Sequence, residues 1–201
     1  MIETALLDSG ISLIAGVDEA GRGACAGPLV IAALILKDPR SPTLQKIKDS
    51  KALTPKQRES LFDVVISQSR AYSIIAIEAE EIDRTGLHRC NLEGMRRAVA
   101  ALDVEPEYVL TDGYAIEGLS APNLAVWKGD QVALTISAAS ILAKVSRDRV
   151  MRELDYQFPG YGLADHKGYV TASHQVAIEK LGILPIHRRS YSNISQLINS
   201  K

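Results

Sequence analysis

Apolar and polar positions along the chain predict short strands alternating with helices. Ile11–Val17 is apolar and leads directly into Asp18 and Glu19, and Pro28–Leu36 is a near-continuous aliphatic run. With the glycine-rich stretch Gly21–Gly27 between them, the two read as strands of an antiparallel hairpin. Lys37–Ser50 is polar, holds Pro39 and Pro42, and reads as loop. Thr54-Pro55-Lys56-Gln57 then starts a helix: Thr54 caps it, Pro55 suits the first helical position, and Gln57 completes a capping box. That helix should run to about Ser69.

Ala71–Ile77 alternates and predicts a third strand. Leu87–Leu102 carries Met95, Ala98, Val99 and Leu102 at helical spacing. Tyr108–Leu110 and Leu124–Trp127 are short apolar strands, ending at Asp112-Gly113 and Gly129-Asp130. Ile136–Phe158 predicts a long helix whose first half is rich in small residues, which permits close packing on a sheet. Thr171–Leu181 predicts a last helix, stopped by Gly182. The order implies one α/β layer fold with a mixed sheet, where sites form outside strand ends. Asp18, Asp112 and Asp130 each sit at or just beyond such an end.

Composition narrows the class. The 201 residues, 46% hydrophobic, suffice for one core and one domain, with no linker or repeat visible. No apolar run is long enough to span a membrane. Residues Met1–Leu13 carry Glu3 and Asp8 and no basic region, unlike a secretory signal. Two cysteines, Cys25 and Cys90, show no pairing pattern, so a reducing cytoplasm is expected. The net charge of −1 is unevenly spread: residues 144–201 carry nine Lys/Arg and five acids. A basic C-terminal part beside an acidic body suits one region for phosphates and another for metals, although ordinary surface charge gives the same count.

Four acids stand out: Asp18, Glu19, Asp112 and Asp130. Gathered carboxylates repel, and hard cations such as Mg²⁺ or Mn²⁺ offset that charge. Two such ions about 4 Å apart can activate water and stabilise the leaving oxygen of a phosphodiester. Acids also favour turns, and Asp112-Gly113 is a common turn pair. Gly21-Arg22-Gly23 follows the first two acids and can bring backbone N–H groups close to a ligand. The spacing through Gly27 misses a dinucleotide fingerprint by one residue. Lys51, after Asp49-Ser50, can meet a phosphate or be solvated. His166-Lys167-Gly168-Tyr169 sets an aromatic among basic residues, which suits stacking on a base or sugar. Arg188-Arg189 should contact phosphate or a surface acid, and Trp127 should lie in the core. His166, His174 and His187 lack zinc-ligand spacing.

Together these residues resemble the ribonuclease HII family, the type 2 ribonucleases H of bacterial type. The resemblance rests on Gly16-Val17-Asp18-Glu19-Ala20-Gly21-Arg22-Gly23, Gly27-Pro28, Asp49-Ser50-Lys51-Ala52-Leu53, Thr111-Asp112-Gly113 and Lys128-Gly129-Asp130. It continues through Ile136–Val145, Arg147-Asp148, His166–Tyr169 and His187-Arg188-Arg189-Ser190. It spans about residues 14–191 and implies a ribonuclease H-like fold, with a central mixed five-stranded sheet flanked by helices. A catalytic core would occupy about residues 12–158 and a basic helical part about 159–201.

The implied activity is hydrolysis of RNA in RNA–DNA hybrids and incision 5′ to single ribonucleotides in duplex DNA. It would be a two-metal reaction leaving 5′-phosphate and 3′-hydroxyl ends. The resemblance assigns metal binding to Asp18, Glu19, Asp112 and Asp130, with Asp148 the rival for the fourth place, and gives Mn²⁺ or Mg²⁺ as cofactor. It assigns reading of the ribose 2′-OH to Gly21, Arg22, Gly23 and Tyr169. Lys51, Lys144, Arg188 and Arg189 are candidates for holding phosphates. A monomer is expected, and the tail beyond Tyr191 has no aromatic pair for docking on a sliding clamp. Two rivals stay open: a hybrid-binding module without catalysis, and a DNA-only nuclease of the same fold.

Overall fold

The computed structural model describes residues 2–47 and 54–199. Five strands form one mixed sheet in the order β3-β2-β1-β4-β5: β1 Ile14–Ala20, β2 Leu29–Leu36, β3 Ser69–Ile77, β4 Tyr108–Asp112 and β5 Asn123–Val126. β1 pairs antiparallel with β2 and parallel with β4; β2–β3 is antiparallel and β4–β5 parallel. The mixed five-stranded sheet thus matches the expectation. β1 runs further than the apolar run suggests: Asp18 and Glu19 lie within its last turn of pairing, opposite Ala32 and Ile31.

Strand β2 is buried along its whole length because both faces of the sheet are covered. Leu29, Ile31, Ala33 and Ile35 join one core with Met95 and Ala98 of helix α4, Leu87–Ala100. Ala32, Leu34 and Leu36 face a second core with α2, Pro55–Gln68, and α6, Leu134–Gln157. The capping box forms as expected: the Thr54 hydroxyl accepts from the Gln57 N–H at 3.3 Å, and the Gln57 side chain accepts from the Thr54 N–H at 2.8 Å.

Helix α6 lies against β1 at backbone distance. A Cβ on Gly16 would stand 2.2 Å from the Thr135 carbonyl carbon, so glycine is what allows the approach. The start of α6 is capped from a distant element. Glu3, fully buried on α1 (Ile2–Asp8), accepts from the Thr135 N–H at 2.9 Å. A carboxylate there complements the positive end of the helix.

Several short helices, each of about one or two turns, escape the sequence pattern: α1, α3 (Ala79–Thr85), α5 (Gly129–Val132), α7 (Leu163–His166) and α9 (Ser192–Asn199). With α8, Ala172–Leu181, the last of these close a third core around Cys25, Met151, Tyr161, Ile178 and Ile194. No helix among the described residues is long and apolar enough to cross a membrane.

Candidate active site

The acids converge because of strand register. Val17 pairs with Thr111 across the parallel β1–β4 ladder, so the residues that follow, Asp18 near the end of β1 and Asp112 at the end of β4, stand side by side on adjacent strands. Both line a cleft of about 480 Å³ with Glu19, Gly21–Gly23, Ser140, Lys144 and Tyr169. Asp18 is 4% exposed, and its Oδ1 accepts the Glu19 N–H at 2.8 Å. Burial pushes the Asp18 carboxyl well above the usual carboxylate range, and the charges of Glu19 and Asp112 add to it. Glu19 rises to about 7, first through burial and then through Asp112, with the Arg22 guanidinium opposing. Three oxygen-donor side chains are thus held together against their own repulsion.

A divalent cation fits this donor set. The ligands are hard oxygens, and the buried Glu19 Oε2 has no hydrogen-bond partner. The acids line the cleft rather than close on one point: among the described residues no group of three or more His, Cys, Asp or Glu forms a ready-made metal cage. Asp130 does not line the cleft. It is 1% exposed in the first turn of α5, next to Gly129, whose N–H donates to Asp112 Oδ1 at 2.8 Å. Its rival Asp148 pairs with Lys144 at 2.7 Å, one turn away on α6. The neighbouring Arg147 turns toward the carbonyls of Pro28 and Ala26 at 2.9 and 3.1 Å.

The glycine turn is held from beneath by two buried arginines. Gly21 has φ +90°, and a Cβ there would overlap Arg147 Nε, so the turn and the guanidinium occupy one tightly shared space. Burial draws Arg147 down to about 10, still charged at neutral pH. Arg188 corrects a sequence expectation. Instead of meeting phosphate it is fully buried, donating to Gly27 O at 2.9 Å and to Arg22 O at 3.1 Å. A planar fork matches two backbone carbonyls, which a solvated cation would not need.

Arg189 is exposed but belongs to a separate depression beside Glu80, Asp83 and Arg84, which shares no residue with the acidic cleft. Its backbone N–H donates to Asp83 Oδ2 at 2.8 Å. Trp127 is a second correction: it is 82% exposed, not core. β5 ends at Val126, which is buried, and the alternation turns the next side chain outward. Lys51 lies outside the described residues.

Tyr169 reaches the cleft because its loop is stitched to the β1–β2 connection. Gly168 O accepts from the Cys25 and Ala26 N–H groups at 2.9 and 3.2 Å. The Tyr169 ring faces Gly23 and is 40% exposed. Two cleft residues were not singled out from sequence, Arg58 on α2 and Ser140 on α6. Ser140 hydrogen-bonds the Asp18 carboxylate, and its place in the small-residue half of α6 was the available signal.

A mixed sheet in this order, with acids at neighbouring strand ends beneath a glycine turn, defines a nuclease of the ribonuclease H-like class. A solved ribonuclease H2 from Pyrococcus horikoshii OT3 superposes with a TM-score of 0.82 at 31% identity, covering 93% of this chain and 97% of that one. The ribonuclease HII family model matches residues 15–194. Ribonuclease HII of Corynebacterium jeikeium is 57% identical over 96% of this chain and 94% of its own length. That of Salinispora tropica is 55% identical over 96% and 72%. The chain belongs to the ribonuclease HII family. It is a ribonuclease H that hydrolyses the RNA strand of RNA–DNA hybrids, in a family that generally depends on a divalent metal.

Proposed function

We propose that this enzyme also incises duplex DNA 5′ to a single embedded ribonucleotide, leaving 5′-phosphate and 3′-hydroxyl ends. The observation that carries this reading is the shared cleft, in which Tyr169 and the Gly21–Gly23 backbone stand beside Asp18, Glu19 and Asp112. A 2′-OH bound there would lie beside the phosphate to be cut, and that hydroxyl is what separates RNA from DNA.

Asp18, Glu19, Asp112 and Asp130 would hold two Mg²⁺ or Mn²⁺ ions, which when bound supply an activated water and offset charge on the leaving oxygen. Asp18, which stands between Glu19 and Asp112, would be the acid that contributes most directly to holding those ions. Gly21–Gly23 present backbone N–H groups, and Tyr169 orients the ribose. Lys144 offers a cation to the adjoining phosphate, at the expense of its pairing with Asp148.

A Mn²⁺ complex has been solved for Bst-RNase HIII, which at 17% identity is alike in fold. The RNase HII of Archaeoglobus fulgidus, 26% identical, was solved with PCNA. For this chain we favour a cytoplasmic monomer with one ribonuclease HII domain; a sliding clamp is not part of the reading, because no aromatic pair for docking on one stands between residues 192 and 201.

Cleavage of duplex DNA carrying one ribonucleotide tests the reading, with all-DNA duplex and hybrid as controls. Incision at the single ribonucleotide, with all-DNA duplex intact, is expected. Tyr169→Ala should lower that incision more than cutting of hybrid. Binding without incision under both metals, or equal cutting of all-DNA duplex, would refute it.

A further inference from the structure

Beside the acidic cleft lies a second depression of about 350 Å³. It shares Glu19, Arg22 and Asp112 with the cleft and adds Tyr114, Trp127 and Lys128. The Trp127 indole is 82% exposed, an unfavourable position for the largest apolar side chain unless something covers it. The surrounding backbone fixes where it stands. Val126 pairs with Asp112 in the β4–β5 ladder, and the Gly113 N–H donates to Val126 O at 3.0 Å. Gly129, two residues further, donates to the Asp112 carboxylate. Trp127 is therefore bracketed on both sides by bonds to Asp112 and its neighbour. Its distance from the catalytic acids is set by the sheet, not by its own packing.

Lys128 follows with φ +53°, a left-handed conformation that costs about 1 kcal/mol for a residue with a Cβ. The same bracket holds it there, exposed beside the indole. Across the depression the Arg22 guanidinium stands 4.8 Å from the centre of the Tyr114 ring, and Tyr114 packs edge-on against His88. The result is an apolar platform flanked by two cations, continuous with the site of cleavage.

We propose that Trp127 is a substrate-binding residue, packing its indole face on the sugar of a nucleotide that flanks the scissile phosphate, with Lys128 near the phosphate of that nucleotide. A paired base keeps its own face stacked, and exposing it costs a few kcal/mol. The sugar rim of a duplex is accessible without unpairing, so the contact is indifferent to base identity. This inference rests on the reading that the Asp18 cleft is where the hybrid is cut.

The chain has a single tryptophan, so its fluorescence reports this position alone. The full chain is titrated with an RNA–DNA hybrid in chelator, with binding followed separately by anisotropy of a labelled duplex. Acrylamide quenching of Trp127 should fall severalfold at saturation. Trp127→Ala should lower kcat/KM on hybrid by about tenfold, mainly through KM, whatever the flanking sequence, while Trp127→Phe keeps most of it. Trimming the duplex from one end should abolish the difference between wild type and Trp127→Ala. Unchanged quenching on a saturated complex, or a Trp127→Ala loss independent of duplex length, overturns the proposal. Asp18→Asn keeps the two readings apart. If it still cuts, the cleft assignment fails; if it is inactive and Trp127 stays accessible in its complex with hybrid, the platform alone fails.

Discussion

The ring Nε2 of His187 lies 3.2 Å from the ring Nε2 of His174, and the proton between them has one direction. The Leu184 N–H donates to His187 Nδ1 at 2.9 Å, so neutral His187 carries its proton on Nε2. His174 then accepts at Nε2 and carries its own proton on Nδ1, which donates to the Tyr169 carbonyl at 3.0 Å. A buried chain of two neutral imidazoles thus fixes the backbone of the cleft tyrosine. Stacked on His174, His166 fixes the same loop, accepting the Gly168 N–H at 3.1 Å.

Protonating that chain reverses a donor, so folding stability should depend on pH here. Burial and the neighbouring His174 pull His187 down to about 4, against about 6.5 for an exposed imidazole. The unfolded chain therefore binds the proton first as pH falls. The stabilisation is full above about pH 6.5 and is lost between there and about 4, amounting to at most about 3 kcal/mol. Urea denaturation across this range should show the loss. His187→Asn keeps an acceptor for the Leu184 N–H but takes no proton, so its stability should vary less over the same interval. Equal slopes would remove His187 from the pH response.

Asp18 is held against burial and two like charges, so its carboxylate should cost stability while serving catalysis. Asp18→Asn should lower single-turnover cleavage by about 10³-fold or more and at the same time raise the thermal midpoint at neutral pH. Millimolar Mg²⁺ or Mn²⁺ should raise the wild-type midpoint, by about 2.7 kcal/mol in stability at a hundred times Kd. The variant should lose most of that response. A midpoint that falls in Asp18→Asn, or a metal response that persists, would contradict the assignment.

The fourth acid can be decided by a pair of variants. Asp130→Asn should reduce cleavage by at least about 10²-fold under either metal. Asp148→Asn breaks the 2.7 Å pair with Lys144. It should change cleavage by less than about tenfold, as a partly exposed pair is worth about 1 kcal/mol or less. The opposite ranking in steady-state assays would move the ligand role to Asp148.

Arg188 should act on substrate only through the backbone it holds. Arg188→Lys loses the fork that reaches Gly27 O and Arg22 O together. It should lower stability by about 2–4 kcal/mol in urea denaturation, because buried carbonyls lose charged donors. If Arg188 instead held phosphate, the main effect would be a smaller dependence of hybrid binding on salt, with stability unchanged.

The sequence by itself determined what local pattern controls. Short apolar runs, one alternating stretch and helical spacing mark the five strands and the long helices, and Thr54 to Gln57 announces a cap that forms as expected. The acids and the glycine turn were visible because their chemistry stands in consecutive residues. Helices of one or two turns escaped, since so few residues carry no period. Only the tertiary structure decided which groups share the cleft. The register Val17 to Thr111 sets Asp112 beside Asp18, and no local pattern encodes register between strands that are distant in the chain. Arg188 reads as a surface cation from local pattern alone; its carbonyl partners, 161 and 166 residues earlier in the chain, place it in the interior. Trp127 read as core because hydrophobicity does not tell which way a side chain turns at the end of a strand. Burial is a property of what packs around a residue, and so it is settled only when the chain has folded.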